Sequence, residues 1–136
     1  MNLLHNNTLG IDIGSTTVKI AVLDSEQHIL FTDYERHYAN IQETLALLLS
    51  KAKEKLGEMT VSPSITGSGG LTLSGHLNVP FTQEVVAVAT ALQDYAPQTD
   101  VAIELGGEDA KIIYFTGGID QRMNGICAGG TGSFID

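Results

Sequence analysis

Two short apolar runs joined by a glycine-and-hydroxyl turn constrain this chain more than any other feature. They are residues 8–13 and 18–24, separated by Gly14-Ser15-Thr16-Thr17. In the second run Val18, Ile20 and Val22 alternate with Lys19, Ala21 and Leu23. A period of two belongs to a strand, so the pair reads as a β-hairpin. The design then returns: Val101-Ala102-Ile103-Glu104-Leu105-Gly106 echoes Leu9-Gly10-Ile11-Asp12-Ile13-Gly14. Each is an apolar strand with one acid shortly before the Gly that opens a turn. The second turn is Gly106-Gly107-Glu108-Asp109, followed by expected strands over 110–116 and 118–124.

Between the hairpins, residues 28–38 supply a third strand and residues 41–57 an amphipathic helix. In that helix Ile41, Leu45, Leu48, Leu49 and Leu56 recur at helical spacing. Asn40 is the expected N-cap, Lys51, Lys53 and Lys55 suit the negative end, and Gly57 stops the helix. A short strand at 63–66 runs into Gly67-Ser68-Gly69-Gly70, and a second helix at 82–95 ends before Pro97. The expected organisation is a first subdomain over residues 1–97 and the opening of a second, incomplete one over 98–136.

Composition sets limits on partners. Lys+Arg 7 against Asp+Glu 16 leaves a net charge of −9, the wrong sign for a sequence-independent nucleic-acid binder or an electrostatic membrane binder. With 43% hydrophobic residues the chain is globular, and no apolar run approaches the ~18 residues of a membrane helix. Residues 1–7 carry no signal-peptide pattern, and the single Cys127 excludes an internal disulfide framework, so the expected location is the cytoplasm.

The first turn offers Ser15, Thr16 and Thr17 hydroxyls beside consecutive N–H groups, an arrangement suited to an anion, with Asp12 placed to hold Mg²⁺ through water. An ordinary hairpin turn is the equal alternative for that run by itself. No P-loop run and no Gly-x-Gly-x-x-Gly following a strand is present. Two such acid–Gly turns facing each other would clamp phosphates and a metal from both sides.

Four runs together resemble a known family: residues 10–19, residues 66–69, residues 104–111, and residues 123–134 with Met123-Asn124 before Cys127-Ala128-Gly129-Gly130-Thr131-Gly132. They resemble the actin–hexokinase–Hsp70 ATPase superfamily and, within it, the activators of 2-hydroxyacyl-CoA dehydratases and the benzoyl-CoA reductase-type ATPases. The resemblance implies an α/β, RNase H-like mixed sheet with flanking helices, binding ATP or ADP with Mg²⁺. Asp12 would organise the metal and water, and Gly14, Ser15, Thr16, Thr17 and Lys19 would take the phosphates. Gly67 would lie near the nucleotide, and Gly106, Gly107 and Asp109 would form the second phosphate loop. Asp12, Glu104 and Glu108 would be the catalytic acids, Glu104 standing where the family has Asp and Glu108 where it has Gln. Cys127 would ligate a [4Fe–4S] cluster shared across a homodimer, through which an electron passes to a CoA-thioester dehydratase or reductase. Such a cluster usually takes four thiolates and two copies of this chain supply two, so the cluster and full ATPase activity are expected of a longer parent.

Two other functions stay open at this point. One is a small-molecule kinase of the sugar or acetate type in the same superfamily, for which Cys127 has no use. The other is a non-catalytic nucleotide-sensing or scaffold domain of a long activase-like protein, favoured by Glu104 and Glu108. His5, His28, His37 and His76 lack metal spacing and read as exposed or strand-edge residues. The run Lys51-Ala52-Lys53-Glu54-Lys55 reads as a solvated helix end. Val101, Ile103, Leu105, Ile112, Ile113, Tyr114 and Phe115 are expected to leave apolar sheet surface that drives self-association through residues 98–136.

Overall fold

The computed structural model describes residues 6–107, 110–115 and 120–124, the last as backbone only. They form two compact units, Met1–Thr82 and Gln83–Asp136. The division falls ahead of the helix that the sequence reading had joined to the first unit.

In the first unit the expected hairpin is β1 (Asn7–Ile13) and β2 (Thr17–Leu23), continued by β3 (Ile29–Arg36). A 16-residue helix, α1 (Ile41–Leu56), then carries the chain across to β4 (Val61–Thr66). The sheet order is β3-β2-β1-β4, antiparallel except for the parallel β1–β4 pair. Strand alternation decides the rest. Leu9, Ile11 and Ile13 on β1 and Val18, Ile20 and Val22 on β2 are buried in one cluster with Leu45, Leu48 and Ala52 of α1. Asp12 and Lys19, one residue out of phase with that set, fall on the opposite side of the sheet.

Several local expectations change. Asn40 is the helix-preceding residue, but its side chain caps nothing; its carbonyl instead accepts from Thr44 N and Thr44 Oγ1, at 3.1 and 2.8 Å. Lys51 is no idle solvated end: its ammonium lies 2.8 Å from Glu35 Oε1 and 3.4 Å from Asp33 Oδ2 on β3, and the Glu35 hydrogen bond raises its pKa. A helix that the sequence did not announce, α2 (Gly70–Leu77), follows β4 and buries Leu73. Asn78 closes it in the left-handed conformation, φ 52, with Ser74 Oγ donating to Val79 O at 2.6 Å. Phe81 bridges to Ile65 and Thr82 N donates to Ile65 O, so these residues serve the sheet edge and the next helix starts only afterwards.

That helix is α3 (Glu84–Tyr95), and it opens the second unit. Three antiparallel strands follow in order: β5 (Val101–Leu105), β6 (Ala110–Tyr114) and β7 (Asp120–Asn124). Of the residues expected to leave uncovered apolar surface, Val101, Ile103 and Leu105 on edge strand β5 are exposed, but Ile113 on the central strand is fully buried. No helix among the described residues is long and apolar enough to cross a membrane.

Candidate functional site

Strands β1, β3 and β4 all run the same way, so their carboxyl ends meet at one edge of the sheet. Thr17 pairs with Arg36 at the end of β3, and Asp12 pairs with Thr66 at the end of β4. The residues immediately after these strands therefore converge on the turn between β1 and β2, the edge where open sheets of this kind place ligands.

Asp12 sits there with Oδ1 buried and Oδ2 at 3.9 Å from Lys19 Nζ, its cross-strand partner. A contact that long between half-exposed groups contributes little stability, which leaves Lys19 able to reach another anion. Thr66, beside Asp12 on the parallel strand, has a buried Oγ1 with no hydrogen-bond partner among the described residues. Ser15 is exposed and Thr16 half-buried at the turn, whereas Thr17 is buried and faces the protein.

Four carbonyls at the turn, those of Ile13, Gly14, Thr16 and Thr17, are held by the protein. Thr17 O accepts from Gly14 N at 2.9 Å, Thr16 O from His37 N at 3.0 Å, and Ile13 O from Gly69 N at 2.9 Å. Gly14 O lies 3.0 Å from His37 Nε2. The N–H groups of Ser15 and Thr16 meet no acceptor among the described residues. A turn with most of its carbonyls occupied and two adjacent N–H donors without an acceptor among the described residues is suited to an anion.

The glycine that this geometry demands is not the one at the turn. A Cβ on Gly14 would make only an ordinary contact, 3.4 Å from Thr17 O. Gly67 has φ +99, and a Cβ there would fall 2.3 Å from Ile13 O and 2.5 Å from Asp12 Oδ1. Gly69 and Gly70 are also tight, at 2.9 Å from Ile13 Cγ2 and 2.7 Å from Ile65 Cγ2. Gly67 is thus the close backing of Asp12, while Gly69 and Gly70 let the loop pack on Ile13 and Ile65.

His37 is a site residue that the sequence reading missed, and the expectation of an exposed or strand-edge histidine fails there. It is 8% exposed and bonded to the turn on both sides. Its signal in the sequence was only its position one residue past the strand that pairs with Thr17.

In the second unit Glu104 is in register with Lys111, and its Oε2 is buried. Lys111, also buried, donates to Glu84 Oε2 on α3, so a lysine not anticipated as a site residue ties β6, the strand paired with that of Glu104, to that helix. Gly106 and Gly107 follow β5 as expected. Glu108, Asp109 and Cys127 lie outside the described residues. Among the described residues, no group of three or more His, Cys, Asp or Glu is arranged to hold a metal.

The family model for the BadF/BadG/BcrA/BcrD ATPases matches residues 9–136, from the first hairpin strand onward. The chain belongs to this family. The (R)-2-hydroxyglutaryl-CoA dehydratase activating ATPase of Acidaminococcus fermentans is 29% identical over 134 residues, covering 95% of this chain and 51% of that protein. The structure of the activator of 2-hydroxyisocaproyl-CoA dehydratase from Clostridium difficile, solved with bound ADPNP, aligns with TM-score 0.76 and 27% identity over 96% of this chain and 50% of its own. The ethanolamine utilization protein EutJ from Carboxydothermus hydrogenoformans, 16% identical at TM-score 0.66 over 87% of this chain and 51% of its own, shares the fold alone. These likenesses support the actin/Hsp70-type mixed sheet anticipated from the sequence. The chain spans about half the length of the activators it matches.

Proposed function

We propose that this chain is the nucleotide-binding part of an ATPase that activates a CoA-thioester dehydratase or reductase. The observation that carries the reading is the β1–β2 turn, with four carbonyls tied inward and the Ser15 and Thr16 N–H groups without an acceptor among the described residues. Family membership and the ADPNP bound by a relative support it. Ser15, Thr16 and Lys19 would take the β- and γ-phosphates, with Thr17 supporting the turn from its buried position. Gly67 would keep Asp12 in place, and Gly106, Gly107 and Asp109 would contribute the second loop.

The donor set suits Mg²⁺: Asp12 and the Thr66 hydroxyl, which has no hydrogen-bond partner among the described residues, are hard oxygen groups side by side, the kind that a hydrated Mg²⁺ takes through its waters. Bound there, the ion would neutralise charge on the phosphates. The chain's own part would be positioning: N–H donors and Lys19 would orient the phosphates and Asp12 would order water, with Glu104 and Glu108 as further candidate acids of the whole protein. The negative net charge gives no long-range attraction, so phosphate affinity must come from these local donors.

The finer parts of the reading concern the whole protein. A dehydratase client follows from what the relatives are named for, electron transfer through a [4Fe–4S] cluster rests on Cys127, and a cytoplasmic homodimer or oligomer is the expected setting. With one thiol per chain the residues present do not fit a four-thiolate cluster. Calorimetric titration with Mg-ADPNP tests the nucleotide site. Asp12→Asn is expected to weaken binding about tenfold or more, the equivalent of ~1.4 kcal/mol. Equal affinity for wild type and variant would overturn the assignment of Asp12.

A further inference from the structure

We infer that His37 is a positioning residue for the phosphate turn, acting as a neutral imidazole that carries its proton on Nε2. The inference rests on the nucleotide reading above and adds a residue to it. Two backbone groups of fixed character fix the tautomer. The Ala39 N–H can only donate, and it donates to Nδ1 at 3.0 Å, so Nδ1 carries a lone pair. The Gly14 carbonyl can only accept, and it lies 3.0 Å from Nε2, so Nε2 carries the hydrogen. The backbone N–H of the same residue donates to Thr16 O at 3.0 Å. One buried residue therefore holds the carbonyls of Gly14 and Thr16, on both sides of Ser15, and because a trans peptide sets its N–H opposite its C=O, the Gly14 bond turns the Ser15 N–H away from the imidazole.

The chain accepts strain to keep this arrangement. Tyr38 and Ala39, neither a glycine, have φ 46 and φ 67. That left-handed pair brings Ala39 N back onto Nδ1 and Asn40 N onto His37 O, at 2.6 Å. Residues held in that region ordinarily cost energy and persist where the surroundings over-determine them. Here they lead straight into α1, so His37 couples the turn to the first helix of the unit.

The two side-chain bonds can be separated by substitution. Gln places an amide N–H near the position of Nε2 and so retains a donor for Gly14 O while leaving Ala39 N without its acceptor. Asn places an oxygen near the position of Nδ1 and so retains the Ala39 bond while losing the Gly14 bond. If His37 were only structural, both variants would lose nucleotide affinity in step with stability. If it positions the turn, His37→Asn loses about tenfold in Mg-ADPNP affinity while His37→Gln stays within about threefold of wild type, at similar melting temperatures.

Two NMR measurements on the nucleotide-free protein separate this inference from the nucleotide reading. Nitrogen shifts of the His37 ring should report hydrogen on Nε2, and backbone relaxation at Ser15 and Thr16 should show added motion in His37→Asn but not in His37→Gln. A ring protonated at Nδ1, or equal turn mobility in the two variants, overturns the role of His37 whether or not nucleotide binds. Failure of wild type to bind Mg-ADPNP while the NMR results hold would overturn the nucleotide reading and leave the anchoring of the turn standing.

Discussion

Replacing Gly67 by Ala is the sharpest test of how the site is built, because two other glycines separate its causes. Gly57 also has positive φ, at φ 77 and ψ −169, but a Cβ there would meet nothing within 4 Å. Gly57→Ala therefore measures backbone strain alone, about 1–3 kcal/mol for a conformation nearly exclusive to glycine. Gly75, inside α2, has open space around its missing Cβ, so Gly75→Ala should stabilise by roughly 0.5–1 kcal/mol through helix propensity and a less flexible unfolded chain. Gly67→Ala carries left-handed strain together with a collision at 2.3 Å against Ile13 O, a backbone atom that cannot rotate away. The turn must move, breaking the Gly69–Ile13 hydrogen bond and shifting Asp12, so the loss should exceed that of Gly57→Ala by at least about 1–2 kcal/mol. Urea unfolding with tryptophan-free detection by circular dichroism would rank the three variants at pH 7. Mg-ADPNP affinity should fall with Gly67→Ala and hold in the other two. A Gly67→Ala protein no less stable than Gly57→Ala would refute the claim that this glycine backs Asp12 by close contact.

Leu48, fully buried at the centre of α1, should cost about 2–5 kcal/mol as Leu48→Ala, read by urea unfolding. Lys111→Met should cost about 3 kcal/mol by stranding the Glu84 carboxylate, and adding Glu84→Gln should restore at least ~1 kcal/mol, as a double-mutant cycle would show. The backbone N–H groups of His28 and Glu26 hold the Asp24 carboxyl below its ordinary 3.8, so its contribution is present above that value and is lost as pH falls through the lowered one. The stability gap between wild type and Asp24→Asn should accordingly be open at neutral pH and close in acid, measured by thermal unfolding across a pH series. Ile103, 66% exposed in the apolar row of edge strand β5, should drive concentration-dependent association that Ile103→Lys abolishes in sedimentation velocity; a monomer at all concentrations in wild type would refute it.

The hairpins and α1 were legible in the sequence because burial on one side imposes a period, and Val18-Lys19-Ile20-Ala21-Val22 and Ile41 to Leu56 display it. Helix α2 displays none: Gly70 and Gly75 lie within it, and its order comes from Leu73 in the core and the Ser74–Val79 hydrogen bonds. The helix expected from residue 82 begins only at Glu84, because the Thr82 N–H is taken by Ile65 O. Lys51 looked solvated because its partners, Asp33 and Glu35, alternate on a strand some distance back along the chain, and only the packing of α1 on β3 brings them under it. The need for glycine at position 67 and not at 14 is invisible in the sequence, since a close approach depends on which backbone passes nearby and not on the turn that holds the residue.

The candidate site follows the same logic. Asp12 was legible because an acid out of phase with three buried aliphatics has to leave the core side of the sheet. The groups around it were not, because each comes from a different strand end: His37 from β3, Thr66 and Gly67 from β4. What joins them is pairing, Thr17 to Arg36 and Asp12 to Thr66, which sets the next residue of each strand against the turn. A shift of one residue in the β1–β4 register would set Gly67, not Thr66, beside Asp12 and move its close approach away from Ile13 O. It would also turn Ile65 out of the core, where it is fully buried. Burial of Ile65 therefore fixes the register, and the register places the glycine loop against Asp12. The hydrophobic core on one side of the sheet and the anion-facing turn at its edge are thus set by one pairing, so a substitution that lets β4 slip should damage both together.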